Sequence, residues 1–198
     1  MASPPDRDAR REALLAAADL VVQRDGSSAS MAAIAAEAGI TKPILYRHFG
    51  DKSGLYAALA AHHTDRLLVD LTAALRSAGT ARDRVQRTVD AYLVVVEDEP
   101  QVYRFLVQSV EAAPVRRQVR GFIARLQEQL GAGIAVELGL PAGDVRAASW
   151  AAGIIGMVQA AGEWWLDGGP CTRQELAEQL TDLLWGAYAA AAAERGTA

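Results

Sequence analysis

Ser30-Met-Ala-Ala-Ile34-Ala35-Ala-Glu-Ala-Gly39-Ile40-Thr41-Lys42-Pro43-Ile44-Leu45-Tyr46-Arg47-His48-Phe49-Gly50 is the stretch from which the fold is read. Apolar positions recur at helical spacing on both sides of a break at Gly39, so two short helices meet at a tight turn. Ser30 is placed to cap the first helix, and Gly39 stands where a residue of positive φ ends it. Thr41 is expected to cap the second helix, and Pro43 is tolerated in a first turn whose amides are unpaired anyway. Ala35 lets the two helices approach. Ile34, Ile40, Leu45 and Phe49 supply a small core, completed by Leu14, Ala18 and Val21 from a preceding helix. The pattern predicts a helix-turn-helix unit. With Leu45 and Phe49 inward, Thr41, Lys42, Ile44, Arg47 and, at the edge, His48 remain outward. Such a face offers donors to phosphates or guanine edges and an apolar group to a thymine methyl.

The rest of the 198 residues also reads as helix, with the breaks at Gly or Pro. Helices are expected at about 9–24, 31–38, 42–49, 52–77, 81–98, 100–111, 114–138, 142–166 and 173–194. The fold class is therefore all-α with about nine helices, and residues 1–8 read as a mobile arm. Thr172 and Glu175 fit a capping box at the start of the last helix, where Leu176, Leu180, Leu183 and Ala187 form a stripe. In the helix before it, Trp150, Ile154, Met157, Ala161 and Trp164 fall within a narrow wedge.

Charge and composition narrow the classes. Twenty basic against 24 acidic side chains give a net charge of −4, which argues against a surface that clings to nucleic acid everywhere. Residues 1–60, however, hold seven of each sign, and the only two lysines, Lys42 and Lys52, fall with Arg47 in one twelve-residue stretch. That stretch is a local basic patch. Cys171 is the single cysteine, so an intrachain disulfide is impossible and a cytoplasmic location is expected. No apolar run approaches a membrane span, and no signal peptide is read. No phosphate loop, nucleophile elbow or metal-ligand spacing is found, so neither catalysis nor a cofactor or metal is expected. His62 and His63 point about 100° apart on a helix without an i, i+4 partner. The acidic run Glu97-Asp98-Glu99 reads as a solvated hinge.

The compound pattern Ser30-x-x-x-Ile34-Ala35-x-x-Ala38-Gly39-Ile40-Thr41, then Leu45-Tyr46-x-His48-Phe49, then Asp51-Lys52-x-x-Leu55, resembles the tetracycline-repressor (TetR/AcrR) family of bacterial regulators. The resemblance covers residues 10–56, with Pro43 and Ser53 departing from the residues common there. It implies a DNA-binding domain over residues 1–52 and a ligand-binding and dimerisation domain over 53–198. Tyr46 and Lys52 match side chains expected on phosphates, with Thr41 a further candidate, and Lys42, Pro43 and Ile44 match positions meeting base edges. The full set expected to face DNA is Ser30, Thr41, Lys42, Pro43, Ile44, Tyr46, Arg47, His48 and Lys52, with Arg7, Arg10 and Arg11 as additional arm contacts. An apolar or aromatic effector is expected to meet His62, Tyr92, Val96, Tyr103, Leu106, Phe122, Trp150, Ile154, Met157 and Trp164.

The resemblance thus implies a homodimeric, ligand-released repressor on a palindromic operator, paired through its two C-terminal helices. The alternative is a helical small-molecule-binding protein whose N-terminal unit meets another protein.

Overall fold

Glycines, prolines and short polar side chains set the helix ends in the computed structural model, which describes residues 4–108 and 113–196. Among the described residues the chain forms nine α-helices and no strand: α1 (Pro4–Asp25), α2 (Met31–Glu37), α3 (Lys42–Phe49), α4 (Lys52–Leu75), α5 (Ala81–Asp98), α6 (Pro100–Gln108), α7 (Ala113–Glu137), α8 (Val145–Leu166) and α9 (Arg173–Gly196). A single 3-10 turn follows α1 at Gly26–Ser28. No helix among them is long and apolar enough to cross a membrane.

Two helix starts differ by more than one residue from the sequence reading. Helix α1 begins at Pro4 and takes in most of the stretch read as an arm, since prolines fit a first turn whose amides need no partner. Helix α8 begins three residues later than read. Gly143 has φ +77°, and Asp144 then caps the helix by accepting from the Arg146 amide at 2.8 Å. The last residues assigned by pattern to α6, 109–111, lie outside the described residues.

The chain forms two compact units: residues up to Arg66 together with Glu99–Phe122, and Leu67–Asp98 together with Ile123 onward. The boundary expected at residue 52 marks which part meets DNA; the compact grouping marks which residues share a core. In the first unit α1 gives Leu14, Ala18, Val21 and Val22, α2 gives Ile34 and Ala35, and α3 gives Leu45 and Phe49. Helix α4 adds Leu55, Tyr56 and Leu59, while Val102 and Phe105 of α6 and Val115 of α7 close the cluster. Fully burying each valine, leucine, isoleucine or phenylalanine among them stabilises by about 1.5–3 kcal/mol. His63 is buried in the same unit, its Nε2 2.8 Å from Asp19 and its Nδ1 3.4 Å from Glu99, which also pairs with Arg66. The acidic run is therefore not wholly solvated: Glu99 is held by these two partners, and Glu97 accepts from Arg173 at 2.9 Å.

In the second unit α9 packs along α5, with Val89, Leu93, Val158, Leu176, Ala177 and Leu180 buried together. The stripe read on α9 is corrected here. After Leu180 the inward position is Leu184, not Leu183, which is 59% exposed. Adjacent leucines satisfy the helical period equally well, and packing against α5 selects between them. The wedge read on α8 is likewise displaced by about a quarter-turn. Its buried residues are Ala147, Ala151, Val158 and Gly162, while Ile154, Met157 and Ala161 are half-buried beside them and Trp164 is 54% exposed. Small residues face inward because neighbouring helices come close: a Cβ on Gly162 would stand 3.0 Å from the Tyr92 ring, and one on Gly131 of α7 3.6 Å from the Ala147 carbonyl oxygen.

The capping box at α9 forms as read. The Thr172 amide donates to Glu175 at 2.8 Å and the Glu175 amide donates to Thr172 Oγ1 at 3.2 Å. A second reciprocal pair, Thr80 with Asp83, starts α5 at 2.9 and 3.2 Å. Hydrogen bonds from Thr172 and Thr80 hold the Glu175 and Asp83 carboxyls below their usual ranges. A carboxyl lowered in the folded state adds stability that is present above its unfolded pKa and disappears as pH falls through the folded value. The acid limb of unfolding, followed by circular dichroism, is expected to be shallower in Glu175→Gln, because glutamine keeps the cap without the titration.

Candidate nucleic-acid interface

The turn between α2 and α3 is built by the backbone. Gly39 has φ +63°, the Ile40 amide donates to the Ala35 carbonyl at 2.9 Å, and the Gly39 amide donates to Ala36 at 3.1 Å. These two bonds are the paired closure of a Schellman motif, in which a left-handed residue satisfies the last carbonyls of a helix. Upstream, Ser30 Oγ accepts from the Ala33 amide at 3.1 Å, as the sequence implies, and its hydroxyl hydrogen is left to donate elsewhere. Thr41 occupies the cap position of α3, but its side chain makes no capping bond, which corrects the expected cap. The exposed Thr41 hydroxyl is thereby available to a phosphate. Ser30→Ala is expected to lower the stability of the first unit by about 1 kcal/mol and Thr41→Ala to change it far less. Thermal melts of the two variants separate capping from DNA contact.

Helix α3 is amphipathic in the sense the turn dictates. Leu45 is fully buried and Phe49 9% exposed, whereas Thr41, Lys42, Pro43, Tyr46 and Arg47 are exposed. Ile44 and His48 are half-buried at the margins, with the His48 ring 6.4 Å from Phe49. Tyr46 is 42% exposed, an unusual position for a large aromatic that the core does not use. Arg11 of α1 lies over the outer side of Phe49, its guanidinium carbon 5.1 Å from the ring centre, which brings an α1 cation to the end of α3. Arg10 is exposed, and the side chain of Arg7 is outside the described residues. Arg24 belongs to the scaffold: it bonds Asp25 and, at 3.3 Å, Glu37 of α2, and the Asp25 bond first raises its pKa.

Helix α4 presents the last member of the set. Asp51, one residue before α4, accepts from the Gly54 amide at 2.7 Å and so fixes its first turn. Lys52, the first residue of α4, is exposed with its ammonium 5.0 Å from the centre of the Tyr56 ring. Neither the cap by Asp51 nor the platform under Lys52 is among the sequence expectations, although an Asp three residues before Gly54 is a capping signal. The resulting surface carries cations, hydroxyls and one apolar group on one side of a short helix backed by a dry core. Its chemistry is that of phosphate positioning with base-edge readout.

The residues expected to meet an effector are placed differently. In the first unit His62 is exposed, Tyr103 is buried, and Leu106 and Phe122 are half-buried. In the second, Val96 is buried, Tyr92, Trp150, Ile154 and Met157 are half-buried, and Trp164 is the exposed one. An open groove of about 350 Å³ in the second unit is lined by Asp83, Gln86, Arg87, Asp90, Arg173 and Gln174 with Ala177, and contains none of them.

Comparison with known proteins gives the family of both parts of the chain. Residues 13–59 match the family described as bacterial regulatory proteins, tetR family, and residues 70–198 match the tetracyclin repressor-like C-terminal domain. The HTH-type transcriptional activator FasR of Mycolicibacterium smegmatis is 31% identical, over 91% of this chain and 83% of its own length. The regulator BetI of Brucella canis is 27% identical over 61% of this chain and 63% of its own. Among solved structures, a tetR-family regulator from Streptomyces coelicolor shares the fold at a TM-score of 0.78 and 23% identity, covering 98% of this chain and 85% of that one. A transcriptional regulator from Pseudomonas aeruginosa shares it at 0.78 and 18%, covering 94% of each. The chain belongs to the TetR family of DNA-binding transcriptional regulators.

Proposed function

We propose that the protein binds a two-fold symmetric operator as a homodimer and gives it up when an apolar or aromatic small molecule binds, acting as a repressor in the cytoplasm. The observation that carries the DNA half of this reading is the α3 surface: Lys42, Tyr46 and Arg47 stand outward from a helix anchored by Leu45 and Phe49. The nine residues expected to face DNA are proposed as its contacts, Tyr46, Lys52 and Thr41 to phosphates, Lys42 and Ile44 to bases. For the dimer, the support is the apolar surface that α8 and α9 leave outside their own core: Val145 is 81% exposed, Trp164 54% and Leu183 59%. Exposed apolar groups on two long helices suit a four-helix interface. For the effector, the support is the half-buried aromatic and aliphatic flank of Tyr92, Ile154 and Met157 beside the core of the second unit.

The sign of regulation has a second reading. FasR, 31% identical, is named an activator, so an operator contact that recruits transcription is the rival to one that blocks it. Titration of the duplex upstream of the protein's own coding region, followed by in vitro transcription from it, tests both. Bound duplex with reduced transcript supports the repressor, and increased transcript supports the activator. Retention unaffected by substitution of Lys42, Tyr46 and Lys52 overturns the DNA reading in favour of a protein partner.

A further inference from the structure

Tyr56 lies one helical turn after Lys52 on α4 and is 8% exposed, yet three separate groups hold its ring. Its hydroxyl donates to the Ala29 carbonyl at 2.5 Å, immediately before the Ser30 cap of α2. Phe105 of α6, fully buried, meets it edge to face, with ring centres 4.9 Å apart and planes at 90°. Lys52 holds its ammonium over the ring at 5.0 Å. A phenol bonded at its oxygen and packed at right angles against a buried ring is restrained, so its face serves as a platform, and the attraction of an ammonium to that face is directional. The three ammonium hydrogens need no bond to the ring and remain able to donate to an anion.

We infer that Tyr56 is a positioning residue for DNA binding: it presents the Lys52 ammonium to the DNA backbone, although it meets no DNA itself. A lysine stem is flexible and gives up rotamer freedom when its head is fixed on a phosphate. Parking the head over a rigid ring removes part of that cost before DNA arrives, as preorganisation does in general. Because the ring is also locked to Ala29 and Phe105, the lysine is held in the frame of α2 and α6, not only of its own helix. The inference rests on the proposed contact of Lys52 with a phosphate and names the residue that makes the contact efficient.

The test is a double-mutant cycle on a fluorescent duplex enriched by the wild-type protein from a random-sequence pool, with affinity measured at two salt concentrations. Tyr56→Leu is expected to lower affinity about two- to fivefold, the scale of an exposed cation–π contact. Tyr56→Phe, which keeps the ring face but loses the bond to Ala29, is expected to retain more affinity than Tyr56→Leu at temperatures where circular dichroism shows it folded. On a Lys52→Ala background Tyr56→Leu is expected to cost nothing further. An equal reduction on both backgrounds identifies general damage to the fold and overturns the inference, as does unchanged or higher affinity in Tyr56→Leu alone. If Lys52→Ala itself leaves affinity and salt dependence untouched, the phosphate contact fails and the inference falls with it, and that pattern is distinct from an additive cycle.

Discussion

Replacing Lys42 and Lys52 together by alanine is expected to flatten the dependence of log affinity on log salt by about 1.8 for a bound dimer, since Lys52 of each protomer leaves one phosphate without its cation and each such loss removes roughly 0.9. The accompanying fall in affinity at moderate salt is roughly a hundredfold for each protomer, taking each charge-assisted hydrogen bond at about 1.5 kcal/mol. Both side chains are exposed, and neither supports the core, so melting should be unchanged. Ile44→Ala is the control: it takes an apolar group from a base edge without changing any charge, which weakens recognition of one sequence and leaves the salt slope as it was. Loss of Lys42 from a base edge relaxes the sequence preference as well, and a fall in slope of about 3.6 would instead place Lys42 on a phosphate. An unchanged slope would place DNA elsewhere on the protein.

Leu45→Ala is expected to cost about 2–5 kcal/mol, the range for emptying a fully buried leucine site. Leu45 is the residue on which α3 rests, with Ile34 of α2 and Val21 of α1 in the same cluster, each fully buried. Against a total stability of about 5–15 kcal/mol for a domain, that cost is enough to free α3 from its support. DNA binding should disappear with it. The core of Val89, Leu93, Leu176 and Leu180 shares no residue with the damaged one. Hydrogen exchange should therefore rise in α2 and α3 while the amides of α5 and α9 keep their protection. Retained operator binding by Leu45→Ala would contradict the assignment of α3 as the reading helix.

How much of the fold is legible in the sequence depends on how local the cause is. Ser30, Gly39 and the Thr172–Glu175 box act within four residues, and their roles follow from chemistry and spacing alone. The inward set of α3 is equally legible, because Leu45 and Phe49 are separated by one turn. Thr41 sits at the cap position, but its hydroxyl does not make the bond that its chemistry allows. Leu183 against Leu184 is not decidable from the pattern, since both continue the period from Leu180 and only α5, some ninety residues earlier, selects one. The wedge on α8 fails for a related reason. Periodicity turns large apolar residues inward, whereas close helix approach at Gly162 and Ala147 demands small ones there. The contributions of Phe105 and Val115 to the core around α3 come from distant segments that no local pattern announces. In the proposed interface the outward residues are legible; the ring beneath Lys52 is less so, though four-residue spacing on a helix places Tyr56 there.

Having its only two lysines on this one surface makes the protein awkward to handle by amine chemistry. Apart from the chain's own amino terminus, any reagent that acylates primary amines has nowhere to react except Lys42 and Lys52, both solvent-accessible. Coupling to an activated ester chip would therefore tether the molecule by the side proposed to meet the duplex. A tag at the carboxyl end would spare both amines.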